Sequence, residues 1–392
     1  MKNNGREILK LLEEMIKINS VNPVLVKDGN GESEIAQFIG IYLAQMGLVV
    51  EYQEVERDRL NVIGVLKGNG DGKNLMLNGH TDTVAIEGME IEPLLPKHEN
   101  GKVYGRGSLD MKSGLAAMIG AVKSIIDSGV KLKGDVILAF VADEEYASKG
   151  TEVLVEKFSA DAAIIFEPTD LEIAIAHKGF AWAKIEIFGK AAHGSMPDKG
   201  IDAITKAGKV LIEVENLQKN VLSRKQHQLL GFPSIHASSI SGGKELSTYP
   251  DYCKIELERR TLPGETREDV MEEIQGIINK IKASDEEFKA DFDVFFYRPA
   301  LEVSKEELIV KSLEKAFTNR LRISPHFIGM SGWMDSAILA SVGIPTVIYG
   351  PSGDGCHAAT EYVEFASVID TARILTDVII DFCGISKCNN TG

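Results

Sequence analysis

Short apolar runs and helical patterns alternate over both ends of the chain. NLMLNG (74–79), DVILAFVA (135–142), DAAIIFE (161–167) and IPTVIYG (344–350) are nearly continuous apolar stretches, as expected of strands buried on both faces. Between and after them, DMKSGLAAMIGAVKSIIDSG (110–129), a stretch near 151–158 and ASVIDTARILTDVIIDF (366–382) repeat apolar positions at helical spacing. Strands alternating with helices predict an α/β domain with a mostly parallel sheet. The middle of the chain has another rhythm. FAWAKIEIFGK (180–190) and DYCKIELERRTL (251–262) alternate strictly, as half-buried strands do, while DAITKAGKVLIEVENL (202–217) and REDVMEEIQGIINKIKAS (267–284) are amphipathic helices. DFDVFFYRPAL (291–301) leads back to the first pattern. The predicted organisation is a discontinuous α/β domain over 1–178 and 297–392, interrupted by a smaller α+β domain over 179–296.

Composition changes this picture little. A chain of 392 residues is long for one core, and at roughly 150 residues per domain it suggests two or three. The net charge of -15, from 58 acidic and 43 basic residues, argues against a nucleic-acid partner or an anionic membrane, either of which needs a basic face. The first segment, MKNNGREILKLLEEMIKINS, is an amphipathic helix without the apolar core of a signal peptide. No apolar run approaches the ~20 residues of a membrane span, so a cytoplasmic protein is expected. The four cysteines, Cys253, Cys356, Cys383 and Cys388, match no common zinc spacing and read as reduced thiols.

Chemistry enters at the carboxyl ends of the predicted strands, where open α/β sheets bind ligands. Strand 74–79 runs into His80 and Asp82, strand 135–142 into Asp143, Glu144 and Glu145, and strand 161–167 ends at Glu167. PSGDGCH places His357 just beyond strand 344–350. Each residue has a bland reading: Asp110 as a helix N-cap, the acidic triplet as a solvated turn, either histidine as a loop residue. Their convergence on one rim favours a cation site, because clustered carboxylates repel unless neutralised. Imidazole and carboxylate donors without thiolate suit zinc, cobalt or manganese. A phosphate-binding loop in GRGSLDMKSG (105–114) fails, since Arg106 and Met111 stand where glycines are needed. Cys356 beside His357 is a poor nucleophile–base pair, because adjacent side chains rarely face one another.

Seven segments carry a resemblance. GHTDTV (79–84), GRGSLDMKSG (105–114), ADEEYASKG (142–150), FEPTD (166–170), AAHGSMPDKGIDAI (191–204), ERRTLPGE (258–265) and GDGCHAATEYV (353–363) resemble, in order, the motifs of the M20 metallopeptidases. That family includes acetylornithine deacetylase, succinyl-diaminopimelate desuccinylase, aminoacylase and carboxypeptidase G-type enzymes. The resemblance implies a zinc-peptidase-like catalytic domain, interrupted by a lid domain through which the family forms homodimers. It implies two Zn2+ per chain, for which Co2+ or Mn2+ can substitute, held by His80, Asp110, Glu145, Glu167 and His357. Asp110 would bridge the ions, with a cis peptide bond after it. Asp82 would orient His80, and Glu144 would be the general base. His193 of the lid would stabilise the oxyanion in the partner subunit's site. Arg260 would bind the substrate carboxylate, with Gly242 and Gly243 giving the ligand close access to the lid backbone. Arg259 or Arg260 could face the cleft, but adjacent strand residues cannot both do so.

The activity this implies is hydrolysis of the amide bond of an N-acyl amino acid, of the acetylornithine deacetylase or succinyl-diaminopimelate desuccinylase type. A dipeptidase or exopeptidase acting on short peptides is the alternative. A non-catalytic amino-acid-binding relative would be expected to have lost ligands, and this chain keeps all five together with Glu144.

Overall fold

In the computed structural model, which describes residues 4–386, the apolar runs form strands buried along their whole length: Leu75–His80, Val136–Val141 and Ala162–Ile165. Burying one large aliphatic side chain contributes about 1.5–3 kcal/mol, so these strands anchor the fold. The chain forms two compact units. The first takes in the chain up to Ile175, Val303–Ile328 and the chain from Met334; the second is Ala176–Glu302 with Gly329–Trp333.

The sheet of the first unit follows the order Val49–Glu56, Arg59–Leu66, Val136–Val141, Leu75–His80, Ala162–Ile165, Thr346–Ile348, Ile173–His177. Its four central strands are parallel, as the strand–helix alternation predicts, and its margins are antiparallel. Strand 75–80 lies between 136–141 and 162–165, with His80 opposite Val141 and Asn78 opposite Ile165. Residues just past these three strand ends must therefore gather within a few ångströms, given strand spacings of about 4.8 Å.

Helix Lys112–Ser128 is buried along its first three turns and packs against helices Asn4–Lys17 and Phe365–Cys383. Two glycines let its start approach the sheet. A side chain on Gly79 would lie 2.6 Å from Leu115 Cδ2 and Met111 Cε, and one on Gly114 would lie 2.4 Å from the Phe166 carbonyl. A small four-stranded sheet of Gly353–Asp354, Tyr362–Glu364, Lys102–Tyr104 and Lys97–Glu99 frames the turn that carries His357. Among the described residues no helix is long and apolar enough to cross a membrane. Cys253, Cys356 and Cys383 are free thiols, and Cys388 lies outside the described residues.

The second unit is an antiparallel sheet in the order Ser234–Gly242, Tyr252–Thr261, Gly179–Phe188, Lys289–Arg298. Ala183, Ile185, Ile187, Ile255 and Leu257 pack with Val210, Val214, Ile274 and Ile278 of helices Ala203–Asn220 and Arg267–Ser284. The strand leading to His193 is not an edge. Gly179–Phe188 is paired on both sides, so it has no free edge to offer another chain. Of the two edge strands, Ser234–Gly242 is more exposed than Lys289–Arg298, and its polar sequence lacks the alternation that marks its neighbours.

Candidate metal centre

The three strand ends, the start of helix 112–128 and the turn that carries His357 bring six side chains together. His80 is buried, and its Nε2 lies 3.0 Å from Asp110 Oδ1 and 3.7 Å from Glu167 Oε1. His357, in the left-handed region at φ 61°, places Nε2 3.3 Å from Asp110 Oδ2 and 3.0 Å from Glu145 Oε2. The two oxygens of Asp110 thus face two different imidazoles. Glu167 stands on the His80 side and Glu145 on the His357 side. Glu144 lies within ligand reach of His80 and Glu167.

The bland readings of these residues do not hold. Helix 112–128 starts from Met111 without a side-chain cap, so Asp110 is not its N-cap. The peptide bond between Asp110 and Met111 is cis. The acidic triplet is no solvated turn, because Asp143 is fully buried. Lys112 is also buried and donates to the Ile18 carbonyl at 2.9 Å, which removes it as a phosphate ligand.

Electrostatics set the condition for this cluster. Burial, then the Glu167 charge, pushes the Glu144 carboxyl well above its usual range; burial, then Asp110, raises Glu145. Burial also drives Glu167 well up against the pull of His80. Burial opposes protonation of His80, yet Glu167 and Asp110 raise it well above the ordinary imidazole value. Hydrogen bonds to Asp110 and Glu145 lift His357 to about 10. Asp110 is held low despite burial by those same imidazoles. Without a cation the cluster can reduce its repulsion only by retaining protons. Glu145 Oε1 is moreover buried without a hydrogen-bond partner. Carboxylate and imidazole donors in mutual reach, with one acceptor orphaned, fit divalent cations of the zinc type.

Asp82 differs in part from expectation. His80 Nδ1 lies 2.9 Å from the Asp82 backbone carbonyl and 3.5 Å from its carboxylate. That carboxylate accepts from the backbone N–H groups of Glu144 and Glu145, each at 3.2 Å, and from Asn22 Nδ2 at 2.8 Å. It therefore braces the acidic turn as well as standing beside the histidine.

Glu361 is not among the residues expected from the sequence, whereas Asp335, in SGWMDSA (331–337), lies in a segment that resembles one near the family's site. Glu361 accepts from Arg106 Nη1 at 2.8 Å and from the N–H groups of Gly107, Leu109 and Asp110 at 2.8–3.0 Å, fixing the loop that presents Asp110. It is buried and sits inside GDGCHAATEYV, where its place four residues past His357 is the only signal the sequence carries. Asp335 is buried and accepts from Thr151 Oγ1 at 2.6 Å, and burial pushes its carboxyl up to about 6. A cavity of about 650 Å³, lined by Ile91, Leu95, Pro96 and Tyr104 among others, contains none of these groups.

In the second unit, His193 is exposed, and its Nδ1 lies 2.8 Å from Ser195 Oγ and accepts from Ser195 N–H at 3.2 Å. With Nδ1 accepting, a neutral ring carries its proton on Nε2. Arg259 is buried, pairing with Glu265 and Glu273 at 2.9 Å each. Arg260, on the opposite face of the strand, is partly exposed, stacks 5.2 Å from the Phe180 ring centroid and pairs with Glu258 at 2.7 Å. Of the two arginines, Arg260 is the one not enclosed. Gly242 ends the exposed edge strand, and Gly243 follows at φ 77°.

This clustered donor set on a mixed α/β sheet is a candidate divalent-cation centre, and the family match makes the chain a hydrolase. Residues 76–381 match the model of peptidase family M20/M25/M40, and the chain belongs to that family, whose members act on amide or peptide bonds. It is 28% identical over 385 residues to acetylornithine deacetylase of Buchnera aphidicola, covering 96% of this chain and 98% of the relative. It is also 28% identical over 413 residues to N-formyl-4-amino-5-aminomethyl-2-methylpyrimidine deformylase of Bacillus subtilis, covering 97% and 96%. The crystal structure of aminopeptidase PepT from Bacillus cereus superposes with a TM-score of 0.80 at 20% identity, covering 96% of this chain and 98% of that one.

Proposed function

We propose that this protein is a dinuclear zinc-dependent amidohydrolase that releases an amino acid from an N-acyl amino acid, of the acetylornithine deacetylase or succinyl-diaminopimelate desuccinylase type. The observation that carries the reading is the division of Asp110, with Oδ1 toward His80 and Oδ2 toward His357. In this reading His80, Asp110 and Glu167 hold one ion, and His357, Asp110 and Glu145 the other. When bound, such ions supply Lewis acidity, lowering the pKa of water toward ~7 and polarising the substrate carbonyl. Glu144 takes the proton of the attacking water on its carboxylate and returns it to the leaving nitrogen. Asp82 keeps the 144–145 turn and His80 in register. Arg260 pairs with the substrate carboxylate, Gly242 and Gly243 bring lid backbone to the ligand, and His193 donates from Nε2 to the developing oxyanion.

Hydrolysis of acetyl-, succinyl- and carbamoyl-amino acids and of dipeptides, with added Zn2+ or Co2+, tests the assignment. Turnover of an N-acyl amino acid is expected, with KM raised in Arg260→Ala. Cleavage of dipeptides alone would refute the acyl-amino-acid assignment. Elemental analysis of reconstituted protein should give two ions per chain, and a single ion at saturation would overturn the dinuclear reading.

The second unit is assigned as a lid that joins two copies, with Ser234–Gly242 the more exposed edge available for pairing. The lid histidine then serves the partner's site. Mixing inactive Glu144→Ala and His193→Ala proteins under subunit exchange should restore roughly a quarter of the activity, since half the dimers are mixed and each has one complete site of two. Background activity after proven exchange would remove the trans arrangement.

A further inference from the structure

Behind the acidic turn lies a chain of buried polar contacts in which Arg59, Glu32 and Asn22 have no part in the proposed chemistry. Arg59, 4% exposed at the start of its strand, grips Glu32 bidentately, through Nε at 2.9 Å and Nη2 at 2.5 Å. Its Nη1 donates to Asp143 Oδ1 at 2.8 Å. The same Asp143 oxygen accepts from Asn22 Nδ2 at 3.1 Å, and that amide also donates to Asp82 Oδ2 at 2.8 Å. Asn22 is itself fixed, its Oδ1 accepting from Val24 N–H at 2.9 Å and its N–H donating to the Thr83 carbonyl at 2.9 Å. Glu32, Asp82, Asp143 and Asn22 are all buried.

The chain ends at the residues that do the chemistry. Asp143 stands in the left-handed region at φ 71°, which turns the backbone so that Glu144 and Glu145 present their N–H groups to Asp82. Aspartate visits that region more readily than most non-glycine residues, and at this buried position its side chain is also held by its neighbours. The holding contacts are an ion pair on the Asp143 side chain and a carboxylate, Asp82, bridged to it by one amide. Arg59 is always charged, so it sets a fixed counter-charge against Asp143, while the neutral amide of Asn22 links two carboxylates that would otherwise repel.

We infer that Arg59 and Asn22 are positioning residues for the Glu144–Glu145 turn, acting through Asp143 and Asp82 on both the base and the ligand of the proposed site. The inference rests on the reading of that site given above. Partners one step removed from a metal site commonly change affinity or activity by about 10–100-fold when lost.

The test uses full-length protein carrying Asn22→Ala, Arg59→Lys or Arg59→Met. Co2+ affinity of the metal-free protein is read by visible absorption, and kcat and KM are measured on the best substrate of the acyl-amino-acid and dipeptide panel. Expected are Co2+ binding weakened about 10–100-fold and kcat, per folded and metal-saturated chain, lowered by a similar factor. KM should move by less than about threefold. Arg59→Lys, which keeps the charge but loses the fork, should fall between wild type and Arg59→Met. If Arg59→Met does not fold, Asn22→Ala and Arg59→Lys decide the question. Co2+ affinity and kcat both within twofold of wild type in those two variants overturn the inference. His80→Ala and Glu145→Gln are the controls. If they too bind Co2+ normally, the reading of the site fails; if they lose it while the Asn22 and Arg59 variants do not, this inference alone fails.

Discussion

Arg259 in the second unit and Asp110 in the first each sit at the centre of a buried group of charges, and the two groups are balanced in opposite ways. Around Arg259 the count closes: Arg259 and Lys225 face Glu265 and Glu273, with ion pairs of 2.6–3.3 Å. Burial works against the Arg259 guanidinium, but the two glutamates raise its pKa, and Glu265 is correspondingly lowered. Around Asp110 the count does not close. Asp82, Asp110, Glu144, Glu145 and Glu167 gather near two imidazoles, and among the described residues no lysine or arginine is ion-paired with any of the five. A buried charge network that is complete within the chain reads as architecture. One that carries surplus negative charge must either retain protons or take up cations from outside. The comparison can be broken from either end.

The largest effect is expected where surplus charge does chemistry. Glu144→Gln should lower turnover by about 10²–10⁴-fold, the usual contribution of a general base, while metal content stays at the wild-type level. Glu145→Gln should instead lower the metal content. Kinetics combined with elemental analysis separate the two, and a reversed pattern would exchange the roles of the glutamates.

The balanced group predicts a loss of stability rather than of turnover. Arg259→Ala leaves Glu265 and Glu273 facing one partly exposed lysine, and removing one partner of a buried pair costs about 3–5 kcal/mol. Urea unfolding should show that loss with no change in Co2+ affinity. A change in metal binding without a change in stability would show that Arg259 belongs with the functional charges.

The two groups also differ in how much the sequence discloses. His80, the acidic triplet, Glu167 and His357 follow recognisable strands and Asp110 precedes a recognisable helix, so their meeting at one sheet edge could be anticipated from order and period. The strands themselves were legible because burial on both faces makes them continuously apolar. What supports the cluster was not. Asn22 bonds to Asp82 and Asp143, and Arg59 to Glu32 and Asp143, across separations of 27 to 121 residues, for which one sequence carries no period. In the second unit, strict alternation indicates that Arg259 and Arg260 lie on opposite faces, but only the packing of helix 267–284 decides which face is enclosed. Ser234–Gly242 was missed for a related reason: an exposed edge strand has no buried face to impose alternation.

The smallest expected effect concerns the protons that stand in for the cations. In metal-free protein, hydrogen bonds to Asp110 and Glu145 raise His357 to about 10, and burial raises Glu145. A group whose folded pKa is raised contributes stability that is complete below its unfolded value, ~6.5 for histidine, and is lost as pH climbs through the folded value. The burial-raised glutamates shift in the same direction. Metal-free protein should therefore melt at progressively lower temperature as pH rises from about 6.5 toward 10. Metal ligation requires neutral imidazole and ionised carboxylates, so bound cations replace those protons and remove this dependence. Two measurements bear on it. Melting temperatures of chelator-treated and reconstituted protein should diverge as pH rises, and adding Zn2+ to metal-free protein at neutral pH should release protons, detectable with an indicator dye in weak buffer. Parallel melting curves with no proton release would mean that the surplus charge around Asp110 is balanced from within the chain, as it is around Arg259.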